Sequence, residues 1–343
     1  MNFLKTTLCT ALGMTLAVGS VFAGGGAQSG GGQATGGSAP KKIELTFAGT
    51  EAATTGQSRA MQAMADKLNA DGRFDAKVLV NGALSGDTDA LVTQAKMGVP
   101  LVIPSDPGRL ASQFNIPDLN ILMAPYVLTD RSVLAKLPDT ALFQEWQKQL
   151  ETQGITFVAD MYNGFRSFYT TTPVQSVQDL SGLRIRGFGN NIGNALAKYL
   201  GYANIGISWG EVLPGIQQKT LDGCEVQVAT ANGSAIFEVT KYLALSKHYL
   251  LQSSFVCSTA LLQKMPAEAR DFFLKTVRET AIEYGNVVAQ DEEPFYQNMR
   301  ANGVTITEVN IQEWQDAIAP LYTNNDLGFT AGLKDRLFKE LGL

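Results

Sequence analysis

From Pro266 to about Asn302 the chain carries one uninterrupted helical pattern, in which Phe273, Val277, Ala281, Tyr284 and Val288 recur every three or four residues. At a rise of about 1.5 Å per residue, such a helix runs to about 50 Å, longer than one small domain is wide. It is therefore expected to span two bodies. Pro294 inside it predicts a kink, because proline removes a backbone donor and crowds the preceding turn.

The rest of the folded region supplies those two bodies. Ile43 to Phe47 alternates apolar and polar residues as a strand does, and Met61, Met64, Ala65 and Leu68 fall at helical spacing within Ser58 to Leu68. A strand at Ala76 to Val80, a helix at Asp87 to Met97 and a short apolar run at Leu101 to Ile103 complete a β-α-β-α-β order. That order predicts an α/β domain with a largely parallel sheet. A helix near Thr140 to Thr152 leads to an apolar strand at Thr156 to Met161. After it, Leu183 to Arg186 reads as a strand, Ile192 to Leu200 as a helix closed by Gly201, Trp209 to Gln218 as a helix entered through an N-capping Ser208, and Asp222 to Val228 as a further strand. The β-α-β order thus recurs in a second domain, with no repeat of solenoid period.

The amino terminus reads as a secretory leader over residues 1–23: Lys5 gives a thin positive region, Leu8 to Phe22 an apolar one, and Val21-Phe22-Ala23 a cleavage site. Residues 24–40 are nearly all Gly, Ser, Ala, Gln and Thr, which have little apolar surface to offset ordering entropy, and so form a disordered linker. Net charge is −5, with no run of Lys or Arg, and this excludes nucleic acid as a natural partner. His248 is the single histidine, expected at the surface or hydrogen bonded. With no nucleophile–base pair and few metal ligands, neither an enzyme nor a metal site is expected. Gly187 to Gly193 is not the dinucleotide fingerprint, since its third glycine comes one residue late, and no cofactor is expected. Cys9 lies in the leader. Cys224 and Cys257 either link or rest as two buried thiols, and spacing does not decide between these.

Two strings carry a resemblance to a known family: GFRSFYTTTPVQSVQDLSGLRIRGF from Gly164, and LGYANIGISWGEVLPGIQQKTLDGCEVQ from Leu200. With VNGALSG at Val80, PDLNILMAPYVL at Pro117 and KYLALSKH at Lys241, they resemble the solute-binding proteins of TRAP transporters, of the C4-dicarboxylate-binding (DctP) type, over about 42–343. The resemblance implies a two-lobed α/β periplasmic binding protein of type II-like architecture, its lobes bridged by the long kinked helix. Lobe 1 is expected to comprise 41–160 and 255–343, and lobe 2 to comprise 161–254. It also implies export to the periplasm, a small carboxylate-bearing solute, and delivery to TRAP membrane permease subunits. A periplasmic receptor for a sensor kinase is the alternative, and the oligomeric state stays open.

In the family, the arginine ending the Gly-Leu-x-Ile-Arg strand, here Arg186, holds the ligand carboxylate, with help from the earlier arginine, here Arg166. An aromatic at the start of the next helix, here Trp209, packs on the ligand. The chemistry suits those residue types: a guanidinium is a planar fork matching both oxygens of a carboxylate, and it stays charged. Arg186 also ends its strand at the carboxyl edge, where open α/β sheets gather ligands. Met161, Tyr162 and Asn163 are read as a turn between the buried strand and Arg166, lining the cleft, with Phe188 just past Arg186. Glu51 and Ser105, each following a strand of the first lobe, are candidates for closing over the ligand from the other side. Val226 stands where the family often has Asn after Asp-Gly-x-Glu, and Gly98 is followed by Val-Pro-Leu instead of an acidic residue. Both departures point away from a hydroxyl-rich sugar acid.

Overall fold

A computed structural model describes residues 41–343; the expected leader, 1–23, and linker, 24–40, lie outside the described residues. The alternation seen from Ile43 forms β1 (Ile43–Ala48), whose Leu45 and Phe47 point into the core. The Thr55 hydroxyl accepts from the Ser58 N–H to cap α1 (Gly56–Asp71), and Gly72, at φ 87°, ends it in the left-handed region that glycine adopts without strain. There follow β2 (Phe74–Leu79), α2 (Thr88–Lys96) capped by Asp87, β3 (Leu101–Ser105), α3 (Pro107–Phe114) capped by Asp106, and α4 (Ala141–Thr152).

Beyond α4 the chain enters β4 (Ile155–Thr170), then β5 (Arg184–Arg186), α5 (Asn191–Leu200) and β6 (Ala203–Ile205). Gly201 closes α5 at φ 81°, as the sequence leads one to expect. At Ser208 the Glu211 carboxylate accepts from both the backbone N–H, at 3.1 Å, and the hydroxyl, at 2.6 Å. This fixes a 3₁₀ turn, Trp209–Glu211, that runs into α6 (Val212–Gln217). Next come β7 (Gly223–Gln227), α7 (Val228–Gly233), α8 (Ile236–Val239), β8 (Tyr242–Ser258), α9 (Thr259–Lys264) and α10 (Ala267–Ala301). The chain ends in β9 (Thr305–Thr307), α11 (Ile311–Thr323) and α12 (Leu333–Leu341).

The strands form one sheet in the order β2-β1-β3-β8-β4-β7-β5-β6, with β9 added to β8. Its two ends are parallel, β2-β1-β3 at one and β7-β5-β6 at the other. Its middle is antiparallel, because β8 pairs with both β3 and β4, and β4 with β7. The sheet is therefore mixed where the β-α order alone predicts a largely parallel one. β8 itself matches no strand in the sequence reading. Nearly all of its 17 residues are buried, so a period of two is not visible.

The expected turn at Met161 to Asn163 is not a turn. β4 continues unbroken to Thr170, since β8 supplies hydrogen bonds along its length, and the bending is taken up by register shifts at Tyr162/Phe165 and Arg166/Phe168. Gly164, at φ 101°, sits inside the first shift, with Gln227 too close for a side chain there. α10 is continuous through Pro294 and packs on α1, on β4 and on α7, which follows β7. It thus touches elements from both ends of the sheet. Asp291 of α10 pairs with Arg59 of α1 at 2.7 Å, and Gly285 lets the helix lie against the Tyr162 backbone.

Candidate ligand-binding site

Arg186 ends β5 beside Cys224 of β7 and is half-buried. Its Nε donates to the Ile207 carbonyl at 3.3 Å, and the guanidinium lies 5.2 Å from the centre of the Trp209 ring. The Trp209 Nε1 in turn donates to the Ser234 hydroxyl at 3.0 Å, which fixes the indole plane. Among the described residues no carboxylate lies within ion-pair distance of Arg186. Burial, and then the positive charge of Arg166, lower its pKa below the usual guanidinium value. An unpaired, partly desolvated arginine is a costly arrangement unless an anion completes it.

Arg166 is differently placed. Its Nε donates to Glu225 Oε2 at 2.5 Å and its Nη2 to the Glu225 backbone carbonyl. The guanidinium is sandwiched 4.2 Å from the Phe188 ring and 5.6 Å from that of Tyr249. Only a 3.4 Å contact from Nη1 to Gln227 remains beside these. Burial alone would raise the Glu225 carboxyl, but Arg166 and hydrogen bonds from His248 and Arg166 hold it down to about 2. His248 is fully buried, with Nδ1 2.8 Å from the Ser246 hydroxyl and Nε2 3.3 Å from Glu225. It is hydrogen bonded, as one of the two expectations had it, but far from the surface. Burial lowers its pKa despite the carboxylate beside it.

The remaining candidates divide. Phe188 belongs to the Arg166 sandwich, and Asn163, buried in β4, approaches Glu51. Glu51, half-buried in the loop after β1, has Thr55 and Asn163 beside its carboxyl and Arg166 within electrostatic reach; desolvation dominates and raises its pKa. Its Oε2 is buried without a protein partner, as is the Ser105 Oγ. Tyr162 turns to α10, where its hydroxyl donates to Glu292. Met161 packs in the larger apolar core, and Val226 in a second one with Tyr169, Val212 and Cys224. On β7 it is Glu225 and Gln227, the alternate residues, that meet Arg166.

Glu225, Gln227 and Tyr249 were not among the sequence candidates. A charged residue within the apolar run Cys224-Glu225-Val226 is the signal that could have found Glu225, because a carboxylate inside a buried strand requires a partner. Gln252 on β8 is fully buried with both amide atoms unpartnered, and nothing in its local sequence marks it. A cavity of about 200 Å³ opens between the start of α1, α7 and α10, lined by Thr55, Gly56, Arg59, Asn232 and Asp291 among others; Arg186 does not line it. Among the described residues no cluster of His, Cys, Asp and Glu is arranged to hold a metal ion.

The family model for bacterial extracellular solute-binding protein, family 7 (DctP), matches residues 47–326. Among characterised relatives, the C4-dicarboxylate-binding periplasmic protein DctP of Rhodobacter capsulatus is 26% identical over 259 residues, which is 74% of this chain and 76% of that one. The sialic acid-binding periplasmic protein SiaP of Vibrio cholerae is 24% identical over 265 residues, 77% of this chain and 82% of that one. A TRAP periplasmic solute-binding protein of Actinobacillus succinogenes, solved with bound L-galactonate, superposes with a TM-score of 0.81 at 25% identity, covering 87% of this chain and 99% of its own.

Proposed function

The chain belongs to family 7 of the bacterial extracellular solute-binding proteins, the DctP family, and on that premise we propose that it binds a small organic acid through Arg186 and delivers it to a TRAP membrane permease. The family's role is substrate binding in transport, and its characterised members are periplasmic. The observation that carries the finer reading is the recessed guanidinium of Arg186, which has no acidic partner among the described residues and lies against the Trp209 indole. Such a group is a preformed half of an arginine–carboxylate pair.

We propose further that Arg166, its charge already paired with Glu225, acts on the ligand only through its remaining donor edge, with Phe188 and Tyr249 holding its plane. The two lobes would be 41–160 with 255–343, and 161–254, meeting where β4 and β8 run from one end of the sheet toward the other. Residues 1–23 would be removed on export, leaving 24–40 as a tether. Among the described residues no helix is long and apolar enough to cross a membrane.

Thermal-shift screening of the purified protein against mono- and dicarboxylates, sugar acids and keto acids identifies the ligand, because anything that binds only the folded state raises its midpoint. Calorimetry with the best acid then tests Arg186→Ala. Two charge-assisted hydrogen bonds lost at about 1.5–3 kcal/mol each predict a fall in affinity of roughly a hundredfold or more. Unchanged affinity in that variant sinks the carboxylate assignment.

A further inference from the structure

We infer that Gly108 is a closure-determining residue: it is where the two lobes touch, beside the corner that leads out of Arg186, and its missing side chain sets how far they come together. This rests on the division into lobes given above, 41–160 with 255–343 against 161–254. A glycine in the first turn of a helix needs a reason. Gly108 is the second residue of α3, after Pro107, and its φ is not in the positive range. The backbone there suits any residue, and alanine favours a helix over glycine. What glycine supplies is room. A Cβ built on Gly108 would lie 3.1 Å from Asn190 Nδ2 and 3.3 Å from Ile192 Cδ1, both in 161–254, and 3.2 Å from Asp106 Oδ1 of its own cap. Gly108 and Ile192 are both buried.

The meeting has a topological cause. α3 follows β3 through Asp106, and only Gly187 to Asn190 separate Arg186, the end of β5, from α5. Each helix is capped by its own side chain: Asp106 Oδ1 accepts from the Arg109 N–H at 2.9 Å, and Asn190 Oδ1 from the Gly193 N–H at 3.0 Å. With its oxygen so engaged, Asn190 turns its amide nitrogen to Gly108. A side chain at position 108 therefore acts as a wedge between two lobes that each stay intact. It lowers the share of molecules able to close, and so weakens every bound acid alike.

The test compares Gly108→Ala and Gly108→Leu with wild type, first without a solute and then with succinate, gluconate and pyruvate as probes. Without a solute, both variants should unfold at or above the wild-type midpoint, because the open protein gains a better helix former and loses no contact. A midpoint clearly below wild type would make the contact permanent packing, and overturns the inference whether or not any probe binds. For each probe that binds, Gly108→Leu should raise Kd by about tenfold or more, as an overpacked contact does, and Gly108→Ala by less. Ile192→Val, which removes the Cδ1 methyl that crowds position 108, should recover part of the loss in Gly108→Ala. Small-angle X-ray scattering separates this from the division into lobes. A bound acid should shrink the radius of gyration of wild type and not that of Gly108→Leu. If Gly108→Leu shrinks and binds as wild type does, the inference alone is overturned; if wild type binds an acid without shrinking, the moving lobes fall with it.

Discussion

Arg166 and Glu225 form an ion pair inside the protein, Nε to Oε2 at 2.5 Å, with both side chains almost fully removed from solvent. The two residues are 59 positions apart and meet only because β4 and β7 are antiparallel neighbours, Phe168 opposite Glu225 and Arg166 opposite Gln227. Removing one partner of a buried pair leaves the other charge uncompensated, which typically costs about 3–5 kcal/mol. Glu225→Gln should therefore lower stability by that order in urea denaturation. A loss below about 1 kcal/mol would mean that Arg166 finds another partner or reaches water.

The same pair sets a pH dependence. The Glu225 carboxyl is held at about 2, below its ordinary value, so its contribution to stability is present above about 4.5 and drains away as pH falls toward 2. Wild-type protein should lose stability over that window more steeply than Glu225→Gln. Parallel acid-unfolding curves for the two proteins would count against the coupling.

Asp160 carries the opposite sign. Burial raises its carboxyl to about 7 against a single hydrogen bond from Ser254 at 2.7 Å. A carboxyl raised in the folded state favours folding while protonated, so its ionisation destabilises progressively from about pH 4 to about pH 7 and is complete above that. Asp160→Asn removes the slope. The difference in unfolding free energy between wild type and variant should change by on the order of 4 kcal/mol between pH 4 and pH 8, at about 1.4 kcal/mol per pH unit. A difference independent of pH would show that the group titrates normally.

Trp209 is the half-buried tryptophan beside Arg186, whereas Trp146 and Trp314 are buried in the core. Ligand addition should therefore shift or quench fluorescence mainly through Trp209, and Trp209→Phe should remove most of the change. A full signal in that variant would assign the response to another tryptophan.

Cys224 and Cys257 are both free and buried, in β7 and β8. Burial pushes the Cys224 thiol up to about 12 and raises that of Cys257 as well, so neither presents a thiolate near neutral pH. A thiol reagent should leave both unmodified in the native protein and label both in denaturant. A mass two hydrogens short, under non-reducing conditions, would instead reveal a disulfide.

What the sequence determined by itself was local. Hydrophobic period, capping residues and closing glycines located α1, α2, α5 and α10 within a few residues, because those signals act between neighbours along the chain. The Leu183–Arg186 strand and the Ser208 cap were legible for the same reason, while the meeting of Arg186 with the Trp209 ring belongs to the tertiary structure. Tertiary structure alone decided the rest. It extended β4 through the expected turn, seated the unrecognised β8 in the middle of the sheet, and turned Val226 into an apolar core. It also occupied the Arg166 guanidinium with Glu225 before any ligand arrives. Strand pairing joins residues scores of positions apart, and a strand covered on both faces loses the alternation by which it could be read. A guanidinium that is free and one that is neutralised look alike in sequence, and only the chain's path through space tells which carboxylate stands beside it.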